Sequence, residues 1–489
     1  MSFGAFLARH RKKIAGLAIA VWVPSLAHFA IGAFTSAPPK EPSPIATVTE
    51  EGDVRRATVK ASGWSVVRGV RIVHLRGDAQ EIGAQHAKLL RDRMIEDEKV
   101  LWDGFEHLVP VRPLRVLIFD IARLQYRDVD RNFPPARRLE VIAEAANFAP
   151  DPYADRMATY PRMAMLHALY DIALGFEHSP LLGCTAFGLG PDATANGHTL
   201  FARAFDFEAA EIFDRDKVVF IVHENGKIPF ASVAWPGFVG VVTGMNAKGV
   251  TIAVHGGRAR EPSTTGIPVA FSLRETLQST NDTEEAVRLL ASQEVMVSHI
   301  VFVADAQGRF AVVERAPGVA AHVRRSFLDP SKASVTNHFE GPLANDPRDD
   351  AVRKTTTTLA RRQRIDELLA ALPPKSADVA KAVSMLRDHE CAGEPSCPAG
   401  DRRAIDAFIA THGVVADLTE RALWVSVGPH LSGKFVKVSQ SLLNEAPEGA
   451  PLELPPNELE TIVEDPALHD GRYVQGRRRV GPAALGDKP

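Results

Sequence analysis

The chain has 489 residues, is 45% hydrophobic and carries a formal net charge of -3. A chain of this length holds roughly two to four domain-sized pieces and can bury a sizeable core. A balance so near neutrality excludes recruitment of nucleic acid or acidic partners by an overall field. Outside the N-terminus the longest basic run is Arg477–Arg479, which reads as part of a solvated tail.

Arg9, Arg11, Lys12 and Lys13 precede a charge-free run from Ile14 to Ala37. A bilayer span needs about 20 apolar residues, so residues 14–36 are expected to meet a membrane. Positive charge stays on the cytoplasmic side, which places the remainder in the periplasm or exterior. A cleaved signal peptide is the rival reading, and its best site, Thr35-Ser36-Ala37, would leave Pro38 directly after the cut. Residues 1–37 are therefore an anchor or signal, and the Pro-rich stretch 38–57 is a linker.

"GWSVVRGVRIVHLRG" alternates as a strand pair, and Asp78 with Glu81 forms a capping box that opens a helix. More helical periodicity follows, so 58–183 reads as a mainly helical N-terminal segment. At Cys184 the texture changes to short apolar runs punctuated by Gly, Asn and Asp, the pattern of an antiparallel sheet. Helices interrupt at "PVAFSLRETLQS" and "TEEAVRLLASQE" and recur from Asp350 to about His389, with strands in between and after. This alternation over 184–445 predicts a layered α+β body. Residues 446–489, rich in Pro, Glu and Gly, are expected to be a disordered tail.

Of the three cysteines, Cys391 and Cys397 bracket the short loop "AGEPS" and are candidates for a disulfide in an oxidising compartment. That leaves Cys184 as a lone thiol in an exported protein. A thiol near neutral pH needs a cation or a base to act as a nucleophile. A hairpin beginning at Cys184 would return Arg203 beside it, with Phe205 on the same face and Asp206 on the other. An Arg–Asp surface salt bridge explains the same residues. A Cys/His peptidase would draw its base from His198, His255, His338 or His430. No metalloprotease, P-loop, nucleophile-elbow or dinucleotide motif is present.

The motifs "LLGCTAF", "ATANGHTLFARAFDF", "TGMNAKGVTIAVHGG" and "VTNHF" together resemble the penicillin acyltransferase (peptidase C45) family of N-terminal nucleophile (Ntn) hydrolases. The choloylglycine hydrolases and acid ceramidases are more distantly similar. The resemblance runs from about Val70 to Val438 and implies a four-layer αββα sandwich with a helical N-terminal segment. It implies self-cleavage of the Gly183–Cys184 bond, leaving Cys184 as the first residue of a new chain. The freed α-amine, with a pKa near 8, would serve as base for its own thiol. Gly183, without a side chain, would tolerate the strained backbone of an N-to-S acyl shift.

Carried over by position, Arg203 sits by the thiol, Asp206 contacts the nucleophile's amine, and Ala204 stands where the family often has Asn. Asn337 is the oxyanion-hole amide, with the backbone N–H of His255 or Gly256 as a second donor. Asn246 matches a turn-forming Asn, and Arg361 and Arg364 lie in an Arg-bearing segment that a solvated helix face explains equally well. The implied substrate is a small N-acylated amide. The other partners are the chain's own N-terminal fragment and the membrane, and no cofactor, metal ion or nucleic acid is implied. An inactive, non-processing Ntn-fold binding protein at the membrane and a periplasmic Cys/His peptidase remain the alternatives.

Overall fold

The structure, a computed structural model, describes residues 22–35, 39–51, 54–57, 62–174, 182–207, 210–325, 327, 329–438 and 460–480. The apolar run expected to meet a membrane lies partly outside them. Residues 22–35 are helical, and among the described residues no helix is long and apolar enough to cross a membrane.

The described strands form two sheets of eleven and seven strands. In the larger, Val70–Gly77 runs parallel to Val218–Glu224, joining the N-terminal segment to the rest of the chain, and the other pairings are antiparallel. The smaller sheet is antiparallel and is ordered Lys332–Val335, Leu182–Leu189, Leu200–Phe207, Ala410–Asp417, Ala422–Ser426, Phe435–Val438 and Thr461–Ile462.

Strand side chains alternate, so each sheet has two apolar faces to cover. Between the sheets, Ile72, Val219, Ile221, Ile300 and Phe302 pack against Ala186, Phe201, Val414, Leu423 and Val425. Phe201 stacks on Phe302 with centroids 4.9 Å apart. The outer face of the larger sheet is covered by helices that include Ala79–Leu108, Pro135–Asn147 and Val269–Ser279. That of the smaller sheet is covered by Thr358–Ala371 and Val379–Leu386. The layer order is αββα, as the resemblance implies.

The capping box is present: Asp78 accepts from the Glu81 N–H and the Glu81 side chain accepts from the Asp78 N–H. Gly83 on this helix lets Pro135–Asn147 come close, since a Cβ there would lie 2.0 Å from the Glu140 carbonyl oxygen.

Two expectations about the chain's ends are corrected. Within the expected linker, Val48–Glu51 and Val54–Ala57 pair as edge strands of the larger sheet. Within the expected disordered tail, Thr461–Ile462 pairs with Phe435–Val438, and Arg472–Val480 is a helix. Tertiary pairing supplies what the composition of these stretches lacks. Gly476 of that helix lies against Phe408 and Gly400, where a side chain would not fit.

Candidate active site

Cys184 lies near the start of the strand Leu182–Leu189 and is fully buried. The register with Leu200–Phe207 sets Gly183 opposite Asp206, Cys184 opposite Phe205 and Ala186 opposite Arg203. Directly opposed residues share a face, so Cys184, Phe205 and Arg203 lie on one side and Gly183 and Asp206 on the other. This is the hairpin alternation expected from the sequence.

Arg203 is buried and donates from Nη2 toward the Cys184 Sγ at 3.6 Å. It also donates to the carbonyls of Val242, at 2.6 Å, and Val254, and to the Thr243 hydroxyl. Its guanidinium lies over the Phe205 ring at 4.4 Å from the centroid. Burial pushes the guanidinium's pKa down, and the Cys184 thiol acts against that shift. Fixed by backbone carbonyls and an aromatic face, the cation has little freedom to leave the sulfur.

On the opposite face, Arg361 of the helix Thr358–Ala371 is buried against the same strand. Its Nη1 donates to the Cys184 carbonyl at 2.5 Å and to Thr185 Oγ1 at 3.0 Å, and its Nη2 donates to Asn337 Oδ1 at 3.0 Å. Asn337 Oδ1 also accepts from the Cys184 N–H at 2.6 Å. The amide's Nδ2 donates to the Gly256 carbonyl at 3.0 Å, and the Asn337 N–H donates to Thr358 Oγ1 at 2.9 Å. The backbone group of Gly256 that meets Asn337 is thus its carbonyl rather than its N–H. Asp206 Oδ2 would lie 3.2 Å from a Cβ on Gly183, and its charge acts on Arg361 in the direction that holds the guanidinium protonated.

Gly183 lies in extended strand backbone, not in the left-handed region. What its missing side chain provides here is room for Asp206 and Arg361 rather than conformational freedom.

The remaining candidates separate. Asn246 donates to the carbonyls of Leu277 and Thr280 and accepts from the N–H groups of Lys248 and Val250, so its polar atoms are used in building a turn. Arg364 pairs instead with Asp388 and Glu390. His198 pairs with Asp417, His430 with the Ala410 carbonyl, and His338 with the hydroxyls of Thr336 and Thr358. His255 is buried among cations. Burial first, then Arg203 and Arg361, hold it neutral, with its pKa well below the usual imidazole range. Cys391 and Cys397 are joined by a disulfide.

Two neighbours escaped the sequence reading. His412 stacks on Phe205 at 5.0 Å and meets Thr243 Oγ1 at 3.0 Å. Tyr170, from the helix Leu169–Leu174, lines a largely apolar cavity of about 130 Å³. Phe205, Trp235, Met94, Leu101 and Met163 line the same cavity. Neither His412 nor Tyr170 stands in a local motif; only the packing of helix on sheet and strand on strand brings them to Cys184.

Residues 193–428 match the family model described as acyl-coenzyme A:6-aminopenicillanic acid acyl-transferase. This match to the penicillin acyltransferase family covers just under half of the chain. Gly183 and Cys184 lie just before the matched span. Two curated relatives that the chain matches are an uncharacterized Archaeoglobus fulgidus protein and Dictyostelium discoideum Protein dcd1B. The first is 24% identical over 261 residues, 49% of this chain and 42% of that protein. The second is 26% identical over 236 residues, 45% of this chain and 44% of that protein. The chain thus spans less than half the length of the curated relatives it matches.

Similar solved structures include the Caenorhabditis elegans ortholog of N-acylethanolamine-hydrolyzing acid amidase, at 16% identity and a TM-score of 0.36. That match covers 48% of this chain and 93% of the amidase. Penicillin V acylase from Agrobacterium tumefaciens is 19% identical with a TM-score of 0.33, covering 50% of this chain and 82% of that one.

Proposed function

We propose that the chain is a self-processing cysteine Ntn hydrolase or acyltransferase acting on the C–N bond of an N-acylated small molecule. The observation that carries this reading is the setting of the Gly183–Cys184 bond. The Cys184 N–H is held by Asn337 at 2.6 Å, its carbonyl by Arg361 at 2.5 Å, and its sulfur by Arg203 at 3.6 Å. Any buried residue must pair its N–H and carbonyl, but a structural cysteine needs no buried cation at its sulfur, whereas a nucleophile does.

In the intact chain, Sγ attacks the Gly183 carbonyl, the C–N bond breaks, and the thiol proton ends on the departing nitrogen. Water then hydrolyses the thioester and frees Cys184 as a new N-terminus. Its α-amine, with a pKa near 8, takes the thiol proton in each later turnover, and Sγ attacks the substrate's acyl carbon. Asn337 Nδ2 has a second N–H to offer the developing oxyanion beyond the one given to Gly256. The protonated amine returns its proton to the leaving amine, and water or another amine resolves the thioester. The apolar cavity of about 130 Å³ suits a ring-sized or short acyl group.

We place this body outside the cytoplasm, tethered through residues 14–36. Supporting this are the basic residues before that run and the exposed Trp22, Val23, Leu26 and Phe29 at its described end. The Cys391–Cys397 disulfide fits an oxidising compartment.

Denaturing electrophoresis tests the reading. Wild-type protein is expected to resolve into two pieces split at Gly183–Cys184, and Cys184→Ala to remain one chain. A Cys184→Ala protein that still splits there sinks self-processing. Activity that is lost on His255→Ala while processing stays normal favours a Cys/His peptidase.

A further inference from the structure

Tyr170 presents a buried phenol oxygen that has no hydrogen-bond partner among the described residues. Buried hydroxyls are almost always paired, because a bare one forfeits the hydrogen bonds it makes in water. This oxygen belongs to a side chain lining the apolar cavity, together with Phe205, the residue directly across the ladder from Cys184. After burial, the strongest influence on the phenol is the charge of Cys184, followed by that of Arg203. Burial dominates, Cys184 adds to the cost of ionising it and Arg203 lowers that cost, so the group stays a protonated O–H donor.

The other polar side chains on the cavity wall are placed differently. Trp235 donates to the Phe213 carbonyl, His167 meets the Met163 carbonyl, and Glu98 pairs with Arg162 and accepts from Trp102. Asp97 is also unpartnered, but the groups acting on it are Asp216, Glu96, Arg93 and Arg215, not those around the thiol. The Tyr170 O–H is therefore the hydroxyl on this wall left to meet an acyl chain lying in the cavity.

We propose that the Tyr170 hydroxyl donates a hydrogen bond to the acyl carbonyl oxygen of the substrate as the Cys184 sulfur attacks. The N-terminal segment then supplies an oxyanion donor to a nucleophile on the other side of the cleavage point. The helix carrying it is held in place because Asp171 accepts from the Val269 N–H at 3.1 and 3.2 Å. This rests on Cys184 being the nucleophile, as argued above.

The test compares two reactions of the same sulfur in the full-length protein. p-Nitrophenyl acetate acylates a thiol through an oxyanion, whereas iodoacetamide alkylates it without one. Tyr170→Phe is expected to slow the p-nitrophenolate burst by roughly 10- to 100-fold, at or below the range for losing one oxyanion donor elsewhere. Iodoacetamide labelling of Cys184 is expected to be unchanged. A burst at the wild-type rate overturns the proposal. An equal fall in both reactions overturns it too, since it marks a change in the thiol or the fold. If Cys184→Ala gives the same burst as wild type, the nucleophile assignment itself fails, and the proposal falls with it.

Discussion

Arg361 touches three groups at once: the carbonyl on one side of Cys184, the hydroxyl of Thr185 and the amide oxygen of Asn337. It is buried, so without it the Cys184 carbonyl and the Thr185 hydroxyl each lose a donor, while Asn337 Oδ1 keeps only the Cys184 N–H. An unsatisfied buried acceptor costs about 1–3 kcal/mol. Arg361→Met, measured by chemical denaturation in the Cys184→Ala background, is therefore expected to lower stability by at least about 2 kcal/mol. In the Cys184 protein the same change is expected to slow processing, because the Cys184 carbonyl and Asn337 lose their common anchor. An Arg361→Met protein of unchanged stability and processing rate contradicts this placement. The sequence left Arg361 evenly divided between a site residue and a solvated helix face, since one sequence cannot show which side of a helix is covered. The helix packs on the smaller sheet with Arg361 turned to Cys184, while Arg364, three residues on, is taken up by Asp388 and Glu390.

At the scale of elements, the short helix Leu169–Leu174 depends on a buried carboxyl for its docking. Asp171 accepts from the Val269 N–H at the start of Val269–Ser279, and burial pushes its pKa up to about 7 from an ordinary 3.8. A carboxyl raised on folding binds its proton more tightly in the folded state. Its contribution to stability is complete below pH about 4 and is lost as pH rises through about 7. Asp171→Asn keeps an acceptor for Val269 and removes the titration. The stability difference between wild type and Asp171→Asn should shift against wild type between pH 4 and 8, by up to about 4 kcal/mol at 1.36 kcal/mol per pKa unit. A difference that is flat over that range contradicts the buried setting.

Most elements were legible because their periodicity is strong: the Asp78–Glu81 box opens the long helix, and "DAQGR" turns the hairpin between His299–Ala304 and Phe310–Arg315. The strand Ala410–Asp417 went unread, although it lies beside Leu200–Phe207. Buried on both faces, "ATHGVVAD" has no polar side to alternate with, and its small residues carry little strand propensity.

For the whole molecule, the two sides of the Gly183–Cys184 bond are built into one body. Val70–Gly77 from the N-terminal side pairs in parallel with Val218–Glu224 from the other, and Tyr170, Met94 and Leu101 wall the cavity that Phe205 and Trp235 close. Severing Gly183–Cys184 leaves this sheet and this core intact, so both pieces are expected to remain together in native buffer. The thiol with its Arg and Asp could be found in the sequence because they share one hairpin. Tyr170 and His412 could not, because distant elements deliver them. The central claim is that Cys184 becomes a chain terminus. N-terminal sequencing of the natively purified protein tests it most directly. One sequence beginning Cys184-Thr185-Ala186 in the same complex as the N-terminal piece is the expected result. An active protein with the Gly183–Cys184 bond intact would contradict the account.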